Sequence, residues 1–320
     1  MLQNMKKNKK LISIVVPAYN ESNIIFSSVK QILAAIYEIQ KISLIDNYEI
    51  IFVNDGSEDN TWNCIKKLHS RNKNIKGICL SRNFGLQTAL TAGLNKAKGD
   101  YTVMLECDLQ DPPVLIKGML IQLINTKSDV VCGKRIGRSE SSQKQFVFKL
   151  FHYIYHHISN VKVPQNVGTF SIMNRRALLA LLTFKEKNMY LPGLRHLIGY
   201  KQTFFNYNRL SRNDSSAKMS LSKLIELAFN ALYSFTDLPL KFCFYLGLTG
   251  TTISILVGLY ALVTRLLNYH VTSGWSSTLL SIYFFGSIQL IFLGVTGQYI
   301  YKIYTEVQNR PNYFISDEIN

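Results

Sequence analysis

The sequence predicts an α/β fold, a mostly parallel sheet with helices on both faces, followed by a two-helix membrane hairpin. Three observations carry this. Apolar strand-like runs alternate with amphipathic helical stretches from Ile12 to about Val131. Several of those runs end in polar clusters, as strands do when their carboxyl ends border a binding crevice. Two long stretches near the C-terminus, Phe242 to Thr264 and Leu266 to Tyr301, hold no charged residue.

The first strand is Ile12–Val16. Lysines precede it as in a signal peptide, but the apolar run is too short, stops at Pro17 and meets Asn20-Glu21 without a cleavage-like site. Further strands are expected at Glu49–Val53, Ile75–Leu80, Tyr101–Leu105 and Asp129–Cys132. Helices at Asn23–Gln40, Asn60–Ser70, Phe84–Lys98 and Pro113–Asn125 separate them. A basic stretch from Gly133 to Lys149 and a mixed region to about Asn213 complete a domain at 1–217. Residues 218–238 read as an amphipathic helix, with Leu221, Leu224, Ile225, Ala228, Phe229, Leu232 and Phe235 at helical spacing. It suits either a membrane interface or a core face. Residues 239–304 hold the two spans, about 242–264 and 279–301, each long enough for a hydrocarbon core of about 30 Å. Tyr269 and Trp275 are interfacial anchors in the connection, and 305–320 form a tail.

The formal charge of +16, from 36 Lys+Arg against 20 Asp+Glu, calls for an anionic partner. The uncharged spans favour an anionic lipid bilayer over nucleic acid. Lys218, Lys223 and Lys241 precede the first span and Lys302 and Arg310 follow the second, which orients the N-terminal domain to the cytoplasmic face of a multi-pass plasma-membrane protein. Five cysteines without a C-x-x-C pair fit reduced thiols rather than a disulfide or zinc framework.

Chemistry concentrates in Glu106-Cys-Asp-Leu-Gln-Asp-Pro-Pro113. Glu106 and Asp108 stand two apart, on one side of an extended backbone. Oxygen-only donors suit a hard cation, Mg²⁺ or Mn²⁺, shared with substrate phosphates. An acidic turn after a strand is the plainer reading of that motif alone, and Asn54-Asp55-Gly56-Ser57 alone reads as a turn and helix cap. Together with Pro17-Ala-Tyr-Asn-Glu21, these strand ends argue for one site. No G-x-G-x-x-G or P-loop is present.

These motifs resemble those of family 2 glycosyltransferases of GT-A fold. Leu80-Ser-Arg-Asn-Phe-Gly85, Ala89-Leu-Thr-Ala-Gly93 and the tail Gly297-Gln-Tyr-Ile-Tyr301 resemble the polyprenyl-phosphate branch, with its dolichol-phosphate mannose synthases and bactoprenol glucosyltransferases. The resemblance extends from about Ile12 to Phe314. It implies an inverting transfer of one sugar from a nucleotide sugar, UDP-linked, to polyprenyl (undecaprenyl) phosphate in cell-envelope glycan modification. It places Pro17, Tyr19, Glu21, Asp55 and Arg82 at the donor nucleotide, Asp108 and Gln110 on the metal, and Glu106 near the donor sugar. Asp108, Glu106 and Arg135 are the catalytic candidates. Lys134, Arg135, Arg138, Arg209, Arg212 and Lys218 would hold the acceptor phosphate or donor diphosphate; a lipid-facing basic patch is the other reading of Lys134, Arg135 and Arg138. Relatives also suggest a homo-oligomer.

The chain departs from that pattern. Glu106 stands where the family has Asp, and Gly168-Thr-Phe-Ser171 where it has Gly-Asp-Phe-Arg, whose aspartate is a candidate base. Ser215, Ala217 and Met219 replace the family's Gly, Ser/Thr and Tyr in a basic loop. Two alternatives stay open: a degenerate domain that binds nucleotide sugar without turnover, and a processive polysaccharide synthase. The latter needs more spans and a Gln-x-x-Arg-Trp motif, which neither Trp62 nor Trp275 supplies.

Overall fold

A computed structural model of the chain describes residues 10–136, 166–186, 190–208, 238–266 and 274–320. They belong to two compact units. The first holds the described residues up to 208 together with 311–320, and the second holds 238–266 and 274–310.

The first unit is built on β1 (Leu11–Ala18), β2 (Asn47–Asn54), β3 (Ile75–Leu80), β4 (Tyr101–Met104), β5 (Val130–Ile136), β6 (Val167–Asn174), β7 (Gln202–Asn208) and β8 (Ile315–Ile319). They form one sheet in the order β7-β5-β6-β4-β1-β2-β3-β8. The pairs β1–β2, β1–β4, β2–β3 and β5–β7 are parallel, whereas β4–β6, β5–β6 and β3–β8 are antiparallel. The sheet is therefore mostly parallel at its centre and mixed towards both edges.

Period-two alternation sorts the strand residues between two helical layers. Ile12, Ile14 and Val16 of β1, with Ile50 and Phe52 of β2, pack beneath α1 (Ile25–Lys41), α2 (Thr61–Arg71) and α4 (Leu115–Asn125). Val15, Ile51 and Val53 face the other way, onto α3 (Leu86–Lys96), α5 (Arg175–Leu181) and α6 (Leu191–Leu197). With both faces covered, β1 is buried from Ile12 to Ala18. Helix starts follow local chemistry: Glu21 O accepts Ile24 N and Ile25 N at 3.1 Å ahead of α1, and α4 begins after Pro112-Pro113.

Two expectations are corrected. The C-terminal residues are not only a tail: Ile315–Ile319 pairs antiparallel with β3, closing that edge, with Trp62 Nε1 donating to Asp317 Oδ2 at 3.0 Å. The second unit holds α7 (Leu238–Leu266, 29 residues) and α8 (Trp275–Val307, 33 residues), but only one described segment passes as a membrane span, Ser281–Val307, with mean hydropathy 1.2 and none of it buried. A single candidate thus stands where two were expected, and it runs past the expected end at 301. Apart from Leu238, the amphipathic stretch 218–238 lies outside the described residues.

Candidate active site

The carboxyl ends of β1, β2 and β4 open onto a cleft of about 320 Å³ lined by Pro17, Ala18, Tyr19, Glu21, Asp55, Asn83, Gly85, Leu86, Ala89, Glu106, Cys107 and Asp108. Parallel register brings these ends level, Ala18 beside Asn54 and Val15 beside Met104. Tyr19 is 42 % exposed, an aromatic face at the rim.

The loops after β1 and β2 are stitched together. Asp55 N donates to Ala18 O at 2.9 Å, and Asn20 N to Ser57 Oγ at 2.9 Å. Asn20 has φ 55°, a left-handed conformation asparagine tolerates, and its Oδ1 accepts Glu58 N at 3.0 Å. Gly56 has φ +64°, and a Cβ there would lie 2.2 Å from the Arg82 carbonyl carbon. The turn after β2 therefore needs glycine to touch the 82–85 loop. The Asp55 carboxylate accepts Phe84 N at 2.8 Å and Gly85 N at 2.9 Å. Burial raises its pKa against the pull of those two bonds. Asp55 thus holds one wall of the cleft as well as lining it. Nearby, burial raises the Asp59 pKa, but hydrogen bonds from Thr61 and Ser22 outweigh it and bring the carboxyl to about 2.

Asp108 faces the cleft, and its Oδ1 accepts Gln110 N at 3.1 Å across Leu109, at φ 58°. The Asp108 carboxylate and the Gln110 amide oxygen are hard donors of the kind Mg²⁺ or Mn²⁺ takes. Among the described residues no group of three His, Cys, Asp or Glu could hold a metal unaided. A divalent ion held here would need substrate oxygens to complete its shell. Cys107 is buried; burial first, then the Glu21 and Asp108 charges, push its thiol up to about 12, so packing is its role.

Antiparallel register sets Met104 opposite Ser171, and two residues further along it brings Glu106 to Thr169. Thr169 Oγ1 donates to Glu106 Oε1 at 2.7 Å. The longer acid and the shorter hydroxyl thus meet across the strand ends. On the neighbouring strands Arg135 pairs with Tyr207 in parallel register. Arg135 Nε donates to Tyr207 Oη at 3.2 Å and Nη2 lies 3.5 Å from Asp111 Oδ2, while the Tyr207 hydroxyl donates to Asp111 Oδ1. Asp111 is 0 % exposed. Burial lowers the Arg135 pKa, but Tyr207, Asp111 and Glu106 outweigh it and leave it raised. A Cβ on Gly168 would lie 2.9 Å from Arg135 Nη2, so that guanidinium packs directly on the β6 backbone.

The structure gathers Pro17, Tyr19, Glu21, Asp55, Glu106 and Asp108, as the sequence suggested. Arg82 is not among the lining residues: its guanidinium lies 4.4 Å over the Phe84 ring. Gln110 is not among the lining residues either, although its backbone caps Asp108. Lys134 is half-buried on β5. Arg138, Arg209, Arg212 and Lys218 lie outside the described residues. Sequence reading missed Asn83, Gly85 and Leu86 in the wall, and the Asp111–Tyr207 pair behind Arg135. Asp111 sat inside the acidic motif and was the available signal.

The family description Glycosyl transferase family 2 matches residues 13–182. The chain is 35 % identical over 305 residues to the bactoprenol glucosyl transferase of Shigella phage SfII, covering 95 % of this chain and 97 % of that one. It is 36 % identical over 309 residues to an uncharacterized glycosyltransferase of Synechocystis, covering 96 % and 95 %. The chain belongs to glycosyl transferase family 2. Among solved structures, the mannosyltransferase PcManGT from Pyrobaculum calidifontis, in complex with GDP-Man and Mn²⁺, is 13 % identical with a TM-score of 0.47, covering 92 % of this chain and 88 % of that one. As a family 2 glycosyltransferase, the chain carries the Glu106–Asp108 pair and the Asp55 loop inside the matched region, and the Arg135–Asp111 pair with them.

Proposed function

We propose that this glycosyltransferase transfers a single sugar, with inversion, from a UDP-linked donor to a polyprenyl phosphate at the cytoplasmic membrane face. The observation that carries the reading is the cleft in which Asp55, Glu106 and Asp108 converge. The relatives named for bactoprenol glucosyl transfer supply the acceptor class. In this reading the exposed Tyr19 ring takes the nucleobase and Asp55 holds the loop that borders the nucleotide. Asp108 and Gln110 would hold Mg²⁺ or Mn²⁺, which neutralises charge on the departing diphosphate. Glu106 lies at the donor sugar, oriented by Thr169. Lys134 and Arg135, the latter fixed by Asp111 and Tyr207, meet phosphate oxygens from the β5 side. Thr169 cannot serve as a base near neutral pH. None is required, because a phosphate with second pKa near ~6 is largely a dianion there, and positioning and electrostatics carry the displacement.

Membrane attachment is assigned to Ser281–Val307. The test is a transfer assay with undecaprenyl phosphate, Mn²⁺ or Mg²⁺ and a panel of UDP- and GDP-sugars. A labelled glycolipid from wild type supports the reading. Nucleotide-sugar binding without product would instead favour the degenerate binding domain.

A further inference from the structure

Behind the Glu106–Thr169 contact lies a charge that neither sequence motif nor cleft accounts for. Arg195, on α6, is 1 % exposed and, among the described residues, the largest fully buried side chain. Its Nη1 donates to Ser171 Oγ at 2.6 Å and to Thr169 O at 3.2 Å, and its Nη2 to Gly168 O at 2.9 Å. No described carboxylate forms an ion pair with it, and its Nε has no hydrogen-bond partner among the described residues. An arginine carries its charge into the interior, and burying that charge without a counter-ion is costly, so packing alone does not explain it. Its hydrogen bonds all converge on one short segment, the start of β6, and that segment presents Thr169 to Glu106. The guanidinium from α6 lies directly against Ser171.

We propose that Arg195 is a positioning residue for sugar transfer: it clamps Gly168–Ser171 so that Thr169 holds the Glu106 carboxylate in its working place. The inference rests on the transferase reading above. It involves no proton transfer by Arg195 and no contact with substrate.

The test is a kinetic cycle on the full-length protein in membranes. Arg195→Met and Thr169→Val should each lower kcat by about 10- to 100-fold, the scale of a misplaced catalytic group, with donor KM within about threefold. The double variant should lose no more than the worse single one, because both act through Glu106. Losses that multiply, or an unchanged kcat in Arg195→Met, would overturn the proposal. If Arg195→Met fails to fold, Arg195→Lys replaces it: charge is kept, the fork is lost, and kcat should still fall. Hydrogen–deuterium exchange of 167–171 gives a readout without turnover. Faster exchange there in Arg195→Lys, with β1 and β2 unchanged, supports the clamp, and unchanged exchange overturns it. A wild type without transfer activity would sink the transferase reading instead, while the exchange result would still decide whether Arg195 clamps β6.

Discussion

Asp108 and Glu106, two residues apart in the acidic motif, meet different surroundings: Asp108 the Gln110 amide and Glu106 the Thr169 hydroxyl. Asp108 is capped by the Gln110 amide and looks into the cleft, so its loss should remove the ion-dependent step. Asp108→Ala is expected to lower transfer by at least about 100-fold, in line with removal of a preorganised electrostatic partner, and to make UDP binding, measured by calorimetry, insensitive to Mn²⁺. Tyr207→Phe probes the other side. It leaves one lone pair of the fully buried Asp111 without its hydroxyl and frees Arg135 Nε. The expected cost is about 1–3 kcal/mol of stability, read by thermal unfolding, with a rise in acceptor KM. Residues such as Asp108 and Asp55 were legible in the sequence because polar clusters directly after apolar runs mark strand ends. Tyr207 and Arg195 were not. Each reaches the site only through a register or a helix placement that no local pattern encodes.

Among the elements, β1 to β5 and their helices could be read from alternating apolar periods, whereas β6, β7 and β8 could not. Val167–Asn174 and Gln202–Asn208 mix polar and apolar residues, as strands next to a site and at a sheet edge do. Ile315–Ile319 carries two acids that pair outward, Glu318 with Lys96 at 2.7 Å and Asp317 with Trp62. At the amino end of the sheet a buried polar knot joins β1, β2 and β3: Glu49 accepts Ser13 Oγ at 2.6 Å, Lys76 Nζ at 2.7 Å and Lys98 N at 2.8 Å. Burial raises the Glu49 pKa, but these donors outweigh it and leave it below its ordinary 4.5. A folded-state pKa below the unfolded value gives stability that is fully present above the unfolded value and is lost as pH falls through the folded one. Glu49→Gln should therefore cost about 1–3 kcal/mol at neutral pH and flatten the acid limb of a stability profile below pH about 4.5. Gly56→Ala, forced to φ +64° against the Arg82 backbone, should destabilise by roughly 1–3 kcal/mol and weaken nucleotide binding with it.

For the whole molecule, the sheet closes on a strand from the far end of the sequence. Removing Pro311–Asn320 would bare the β3 edge, and an unpaired edge is a template for association. The truncated protein is expected to self-associate in light scattering at concentrations where the full chain does not. Composition pointed to long uncharged runs near the C-terminus, but not to the return of the chain to the sheet after them. The most direct test of the account is transfer of labelled sugar to undecaprenyl phosphate by wild type and Asp108→Ala, with Mn²⁺ and a nucleotide-sugar panel. A lipid-linked product from one UDP-sugar, lost in the variant, is the predicted result. Equal product from both proteins would contradict the site, and no product from either, with nucleotide sugar still bound, would contradict the function.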